Sequence, residues 1–156
     1  TVGYNLEGNE LGASFGMAQL EKLDQNIATR QDNFRRQCEF FAKHDQFFSN
    51  PIESSDFFTA WLAFPILIKE DAPFSRREFQ IYLEERNIQT RVVFTGNVLR
   101  QPMTSNIDKR VRDGGYPNAD AVMERGVLLP LHHGLTEAMF ERFFITVEDF
   151  LSKFSD

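Results

Sequence analysis

The sequence predicts an α/β domain in which helices cover a small sheet, preceded by a long helix. Short aromatic and aliphatic runs alternate with segments of helical periodicity, in the order helix, strand, helix, strand, loop, helix, strand, helix. Of the 156 residues, 42% are hydrophobic and 17 are Phe, which is enough for a packed core. We expect residues 1–48 to hold an interdomain segment and the long helix, and residues 49–156 to form the small α/β domain.

The first predicted element is one long helix from Asn9 to about His44. Its apolar residues recur at intervals of three, four or their multiples, as on one face of a helix. They are Leu11, Phe15, Ala18, Leu23, Ile27, Phe34, Cys38 and Phe41. At about 1.5 Å per residue this helix would be on the order of 50 Å long. That is longer than a small domain needs, so we expect part of it to pack on a structure outside this chain.

A strand and a second helix follow. Residues 61–69 are rich in aromatic and aliphatic side chains, which favour a strand, although Pro65 favours an edge position or a bulge. Ser75 and Glu78 have the spacing of a capping box, and an apolar stripe continues from there to about Asn87. These signals predict a strand and then a helix.

The second half of the chain contains two more strands, a loop and two helices. Residues 90–95 predict a strand, and residues 96–116 are polar and unpatterned, as in a long functional loop. Pro117 suits the first turn of a short helix through Arg125, and residues 127–131 predict the third strand. The last helix has Thr136 as its N-cap. Its apolar stripe consists of Met139, Phe140, Phe143, Phe144, Val147, Phe150 and Leu151.

Composition argues against several classes of partner. A formal net charge of -6 without a cluster of Lys or Arg argues against nucleic-acid binding. The single cysteine, Cys38, excludes an intrachain disulfide framework and lies on an apolar helix face, where we expect it in the core. No apolar run approaches the roughly 18 residues needed to cross a bilayer. We expect a cytoplasmic protein without a membrane partner, and Thr rather than Met at position 1 favours a fragment or a processed product.

Short motifs in the order of a known family extend over nearly the whole chain. They are Gly3-Tyr4-Asn5-Leu6, Ala18-Gln19-Leu20-Glu21-Lys22-Leu23, the aromatic strand from Trp61 to Ile66, Ile88-Gln89-Thr90-Arg91, Phe94-Thr95-Gly96-Asn97-Val98-Leu99-Arg100-Gln101-Pro102, Pro117-Asn118-Ala119-Asp120, Met123-Glu124-Arg125-Gly126 and Leu129-Pro130-Leu131-His132-His133-Gly134-Leu135-Thr136. Together they resemble the C-terminal part of the DegT/DnrJ/EryC1/StrS sugar aminotransferase family. The motif over residues 94–102 is similar to a signature of its 3-dehydrase branch, whose substrates are nucleotide-linked 4-keto-6-deoxyhexoses.

The resemblance implies the C-terminal small domain of a fold-type I enzyme that uses pyridoxal 5'-phosphate (PLP) or pyridoxamine 5'-phosphate (PMP). The larger N-terminal cofactor domain is expected to be absent from this chain. It would carry the cofactor Lys of the aminotransferases, or the His that replaces it in the 3-dehydrases. No catalytic residue can therefore be assigned here, and the fragment alone is expected to be inactive.

The implied activity is dehydration of a nucleotide-linked 4-keto-6-deoxyhexose, with CDP as the expected nucleotide, in deoxysugar and lipopolysaccharide biosynthesis. The full-length protein is expected to form a homodimer, and an iron-sulfur reductase is a candidate partner. A nucleotide-sugar aminotransferase is the close alternative. The residue at the cofactor position would distinguish the two activities, since the aminotransferases have Lys there and the 3-dehydrases have His. A stand-alone binding module without catalysis is an alternative of a different class.

The resemblance also implies which residues meet the ligands. Asn5 matches an Asn that hydrogen-bonds the cofactor phosphate across the dimer. Asn97, Arg100 and Gln101 are expected to contact the sugar or the nucleotide diphosphate, with Arg100 using its bidentate fork; the alternative is a solvated surface loop. Arg91, at the end of a strand, is either a second contact to an anionic group or one partner of a structural ion pair.

His132 and His133 form the remaining candidate pair. The resemblance places His132 near the domain interface, among the candidate substrate contacts. Adjacent residues on an extended chain point to opposite sides, so the two rings are not expected to share a metal. No third ligand is evident in the sequence, and we therefore expect no metal site.

Overall fold

Four short antiparallel strands form the sheet, in the spatial order Phe48–Ser49, Phe64–Ile68, Gly126–Leu129 and Arg91–Val92. The structure, a computed structural model, describes residues 8–154. The helices are α1 Glu10–Leu20, α2 Leu23–Ala42, α3 Arg76–Glu84, α4 Pro117–Arg125 and α5 Glu137–Leu151; the strands are β1 Phe48–Ser49, β2 Phe64–Ile68, β3 Arg91–Val92 and β4 Gly126–Leu129; single 3-10 turns cover Val98–Arg100, Pro102–Thr104 and Ser152–Phe154. The predicted mixture of a small sheet with helices is confirmed.

The predicted long helix is two helices, α1 and α2, so the expectation of one continuous helix is wrong. The chain tightens between them, where the Lys22 amide donates to the Gln19 carbonyl at 3.1 Å and the Glu21 amide reaches the Met17 carbonyl only at 3.4 Å. Helix α1 buries no residue. Because α1 buries none of its residues, core packing does not hold it in line with α2.

The strand predictions differ from the structure in extent. The two-residue β1 was not predicted; it pairs with Leu67 and Ile68 and makes β2 an interior strand. Pro65 is compatible with this position because β1 ends before reaching it. Strand β3 stops at Val92, short of the predicted Thr95, because the chain turns sharply at Phe94, which has a φ of 49°.

The helix caps in the second half agree with the sequence predictions. The Ser75 hydroxyl accepts from the Glu78 amide while the Glu78 carboxylate accepts from the Ser75 amide, which completes a capping box on α3. Pro117 begins α4, and the Thr136 hydroxyl accepts from the Met139 amide at the start of α5. Local capping chemistry therefore sets these boundaries.

An aromatic core fills the space between the sheet and the helices. Phe41, Phe64 and Phe79 are fully buried, and the rings of Phe41 and Phe64 stack with their centroids 5.6 Å apart. Cys38 packs against this core and is half-buried; burial first, and then Glu53 and Glu39, raise the pKa of its thiol to about 11. The thiol therefore stays protonated at neutral pH, as expected of a packing residue.

Two buried amides of α2 fix the segment that follows β4. Gln37 donates to the Pro130 carbonyl at 2.7 Å, and Asn33 donates to the His132 carbonyl at 3.1 Å. Both side chains are among the buried polar groups of the core. These bonds satisfy backbone carbonyls that have left the sheet, and they fix where the segment carrying the two histidines lies.

Candidate functional site

The loop after β3 is held against helix α4 by a close backbone approach. Gly96 has a φ of +64°, and a Cβ at this position would lie 2.2 Å from the Cβ of Met123 in α4. Only glycine fits both the left-handed conformation and the short distance. The loop therefore starts from a fixed point beside α4.

Asn97, Arg100 and Asp120 form a hydrogen-bonded cluster that joins this loop to the first turn of α4. Arg100 Nε donates to Asp120 Oδ1 at 2.9 Å, and Arg100 Nη2 donates to Asp120 Oδ2 at 2.8 Å. Asn97 Nδ2 donates to Asp120 Oδ1 at 2.8 Å, while Asn97 Oδ1 accepts from the Leu99 amide at 3.0 Å. Asp120 thus accepts three charge-assisted or amide hydrogen bonds at the centre of the cluster.

Electrostatics stabilise the ionised form of both partners in the ion pair. The hydrogen bond from Arg100, and then that from Asn97, lower the pKa of Asp120 to about 2. The hydrogen bond to Asp120 in turn raises the pKa of Arg100. The Arg100 side chain is 64% exposed and that of Asp120 is 25% exposed. The guanidinium therefore remains accessible to a ligand although one of its edges is occupied.

Gln101 closes the base of the same loop. Its side-chain amide donates to the Thr95 carbonyl at 2.9 Å, across the turn that holds Gly96. The Thr104 hydroxyl lies within hydrogen-bonding distance of the Val98 and Gln101 carbonyls, at 3.0 and 2.9 Å, and fixes the second half of the loop. The structure thus brings together three of the predicted substrate contacts, Asn97, Arg100 and Gln101, in one braced loop.

A cleft of about 290 Å³ opens beside the cluster. Its lining residues are Asn97, Leu99, Arg100, Val111, Gly114, Gly115, Tyr116, Pro117 and Asp120. Gly114 and Gly115 both have positive φ and open space where a side chain would stand. Polar groups of the cluster therefore face a cavity with room for part of a ligand.

Arg91 lies in a second and larger depression, a mainly apolar groove of about 1050 Å³. The groove is lined by Thr59, Ala60, Trp61, Leu62, Ala63, Pro65, Arg91, Val92, Val93, Phe94 and Leu128. Arg91 is exposed and takes part in none of the ion pairs between described residues. It is therefore a free cation on the wall of an apolar groove, within the part of the chain that the structure describes.

The two histidines do not point to opposite sides, so that expectation is wrong. Strand β4 ends at Leu129, and the chain then turns, with the Leu135 amide donating to the His132 carbonyl at 3.1 Å. In this turn the His132 and His133 rings pack with centroids 4.0 Å apart. Adjacent side chains point to opposite sides only in an extended strand, and these two residues lie in a turn.

Each histidine already has hydrogen-bonding partners. His132 Nδ1 accepts from the Gly134 amide at 2.9 Å, and His133 Nδ1 lies 3.4 Å from Arg30 Nε, which can donate to it. Burial first, and then the charges of His132 and Arg30, lower the pKa of His133. Arg30 also donates to the Trp61 carbonyl at 3.4 Å, which connects the histidine turn to one end of the groove.

No metal site or membrane span is found in residues 8–154. No group of three or more His, Cys, Asp or Glu side chains in that range could hold a metal ion. None of the helices described there is both long and apolar enough to cross a bilayer. Asn5, the predicted cofactor contact, lies outside the described residues.

Asp120 is the site residue that sequence reasoning missed. It belongs to the Pro117 to Asp120 motif, and an acidic residue in the first turn of a helix is favourable there without any further role. Its pairing with Arg100, 20 residues earlier, depends on how the loop folds back on α4. Sequence spacing carries no signal for such a tertiary contact, although the motif itself marked the position.

Comparison with known proteins agrees with this fold. The chain matches the DegT/DnrJ/EryC1/StrS aminotransferase family over residues 1–148. It is 32% identical over 150 residues to the lipopolysaccharide biosynthesis protein RfbH of Salmonella typhimurium, covering 92% of this chain and 34% of that protein. It is 31% identical over 154 residues to the dTDP-4-dehydro-2,6-dideoxy-D-glucose 3-dehydratase of Saccharopolyspora spinosa, covering 99% of this chain and 33% of that protein.

A solved structure shows the same architecture. The E. coli GDP-4-keto-6-deoxy-D-mannose-3-dehydratase with bound hydrated PLP matches with a TM-score of 0.79 at 24% identity, over 94% of this chain and 36% of that chain. At this level of identity the likeness concerns the fold, and it confirms the predicted fold class. The chain spans about a third of the length of the curated relatives it matches.

Proposed function

Because this chain belongs to the DegT/DnrJ/EryC1/StrS aminotransferase family, we propose that it is the C-terminal part of a PLP- or PMP-dependent dehydrase. The substrate is a nucleotide-linked 4-keto-6-deoxyhexose, which loses its 3-hydroxyl. The observation that carries the proposal is the braced loop of residues 96–104. It overlaps the segment, residues 94–102, that resembles the 3-dehydrase signature, and it presents an exposed guanidinium beside a cleft.

The described residues do not form a complete PLP site by themselves. No lysine of residues 8–154 lines the groove or the cleft, so none is placed to hold the cofactor as a Schiff base. PLP supplies an electron sink when bound, and the protein supplies binding, orientation and proton transfer. We therefore assign to this chain the binding of substrate and leave the cofactor to the larger domain implied by the family, with Asn5 as a phosphate contact across a homodimer.

Within the loop, the residues have different roles in substrate binding. Arg100 is the direct contact, since its exposed guanidinium can donate to an anionic diphosphate. Asn97 is only 5% exposed, and both ends of its amide are used inside the cluster, so it shapes the loop. Gln101 holds the base of the loop through the Thr95 carbonyl. The free cation of Arg91 is a second candidate contact for a negative charge.

His132 belongs to the proposal as a residue near the domain interface. Its ring is exposed, and its neighbour His133 interacts with Arg30, which also binds the Trp61 carbonyl at the end of the apolar groove. The groove is wide and mainly apolar, as expected of a surface that faces another domain or the sugar. A substrate contact by His132 would therefore be made from the rim of the site.

Finer features of the proposal come from the sequence resemblance. CDP is the expected nucleotide, although relatives named for dTDP-linked and GDP-linked sugars make the choice a matter for experiment. A cytoplasmic location and an iron-sulfur reductase partner complete the proposal. A nucleotide-sugar aminotransferase is the second candidate, supported by a relative named dTDP-4-amino-4,6-dideoxy-D-glucose transaminase, from Shigella dysenteriae, which is 29% identical over 153 residues. The Lys or His at the cofactor position would separate the two activities.

The test is product analysis with the full-length protein. It would be loaded with PMP or PLP and incubated with CDP-, GDP- and dTDP-linked 4-keto-6-deoxyhexoses, with an amino donor and, in parallel, with a reductase system. Loss of the 3-hydroxyl supports the dehydrase. Gain of an amino group on the sugar favours the aminotransferase. If no nucleotide sugar reacts or binds, both enzymatic candidates fail, and a binding module for some other partner, without catalysis, remains.

A further inference from the structure

We propose that Asp120 is a positioning residue for substrate binding, because it holds one edge of the Arg100 guanidinium and leaves the other edge directed to a phosphate of the nucleotide sugar. The inference rests on the proposed function, and it adds a residue that neither the sequence motifs nor the comparisons assign to a role. Asp120 acts through Arg100 and makes no contact with the reacting atoms.

The geometry of the ion pair is side-on. Arg100 uses Nε and one hydrogen of Nη2 to reach the two Asp120 oxygens, at 2.9 and 2.8 Å. A guanidinium has five N–H donors in a rigid plane, so this arrangement leaves the end-on edge formed by Nη1 and the second hydrogen of Nη2. None of the hydrogen bonds found among residues 8–154 uses Arg100 Nη1. The open edge has the spacing that suits a phosphate.

Asp120 is itself held in place from two directions. Its backbone lies in the first turn of α4, where the Asp120 amide donates to the Tyr116 carbonyl at 3.1 Å. Its carboxylate accepts from the buried amide of Asn97. These two bonds hold Asp120 to its helix and to the loop, so its carboxylate fixes where the exposed arginine points. Without it, a side chain with several rotatable bonds would lose that orientation.

The ion pair between Arg100 and Asp120 would be unfavourable in a site that binds anions by positive charge alone. A carboxylate next to Arg100 cancels much of the positive potential that a diphosphate would feel. Orientation and charge therefore make opposite predictions for one variant. Asp120→Asn removes the negative charge, so a purely electrostatic site would bind the anion more tightly, whereas a site that depends on orientation would bind it more weakly.

The experiment measures KM and kcat in the full-length, cofactor-loaded protein for whichever CDP-, GDP- or dTDP-linked sugar it turns over. The variants are Asp120→Asn, Arg100→Ala and the double variant. We expect Asp120→Asn alone to raise KM about tenfold, or 1.4 kcal/mol, with a smaller change in kcat. In the Arg100→Ala background it should change KM by less than about twofold, because the residue through which it acts is gone.

Three results would overturn the inference: a KM that falls or stays unchanged in Asp120→Asn, an equal rise in both backgrounds, or no effect of Arg100→Ala itself. If Asp120→Asn does not fold, Asp120→Glu keeps the charge but moves the carboxylate, and it should also raise KM; an unchanged KM would count against the inference. If no nucleotide sugar is turned over, the proposed activity fails, and calorimetry with GDP, CDP and dTDP decides the positioning role. The same pattern in Kd supports it, and no binding refutes it.

Discussion

Gly96 lies so close to Met123 that the loop after β3 packs directly against helix α4. A Cβ on Gly96 would lie 2.2 Å from Met123 Cβ and 2.6 Å from Met123 Cα. The contact lies at the start of the segment that places Asn97 and Arg100 opposite Asp120. The geometry of the candidate site therefore depends on a position where no side chain fits.

Gly96→Ala should destabilise the chain by more than the cost of its backbone conformation. A positive φ costs a non-glycine residue about 1–2 kcal/mol, and the overlap with Met123 adds roughly 1–3 kcal/mol of packing strain. Gly114→Ala is a matched control, because Gly114 has a φ of +82° but no atom within 4 Å of the added Cβ. Chemical unfolding of both variants would measure the difference, and equal losses would show that the close approach is unimportant.

Ser75→Ala should destabilise α3 by about 1 kcal/mol, the usual value of an N-cap. The variant removes the hydroxyl that accepts from the Glu78 amide and that also donates to the Glu78 carboxylate at 2.7 Å. The backbone bond from Ser75, followed by its hydroxyl, lowers the pKa of Glu78. Stability from this carboxylate is therefore present at neutral pH and lost as the pH falls through its depressed pKa. Thermal unfolding at two pH values would check this, and a variant as stable as wild type would contradict it.

These capped helices were predictable because their signals are local. Ser75, Pro117 and Thr136 act on backbone groups within three residues, so the sequence alone places them. The break between α1 and α2 was not predictable, because apolar residues continue at helical spacing on both sides of Lys22, and the sequence does not show that α1 buries none of its residues. The end of β3 was missed because Phe94 is a strong strand former that takes a positive φ here.

The candidate site was predictable in part for the same reason. The loop and its polar residues Asn97, Arg100 and Gln101 follow from composition and from the family motif. Asp120 and the ring contact between His132 and His133 depend on the folded path of the chain, which no spacing rule describes. Tertiary pairing of side chains is what the sequence did not reveal.

The Asp120 carboxyl should titrate with a midpoint at about 2. Because this folded-state pKa lies below the ordinary value of 3.8, the ion pair stabilises the fold above that value and is lost as the pH falls from 3.8 towards 2. In Arg100→Gln the first cause of the shift is removed, and the midpoint should rise. Carbon-detected NMR of the Asp120 carboxyl would measure it. A midpoint near 3.8 in the wild type would mean that the pair does not form in solution.

Phe41→Ala should destabilise the domain by about 3–5 kcal/mol, as for other large-to-small changes in a packed core. Phe41 is fully buried and its ring lies 5.1 Å from Phe48 and 5.6 Å from Phe64, centroid to centroid. Phe57→Ala removes the same side chain from a position that is 77% exposed, and we expect a change within about 0.5 kcal/mol. Denaturant unfolding compares the two. A small loss in Phe41→Ala would show that the aromatic core is not the main source of stability.

The most direct test of the account is the effect of Arg100→Lys on substrate and cofactor in the full-length protein. Lysine keeps the charge but loses the planar fork, so nucleotide-sugar KM should rise about tenfold while the cofactor absorbance spectrum stays unchanged. Arg35→Lys, at an exposed single-bond ion pair on α2, should leave both unchanged. A normal KM in Arg100→Lys, or loss of the cofactor spectrum instead of a rise in KM, would contradict the assignment of this loop to the substrate.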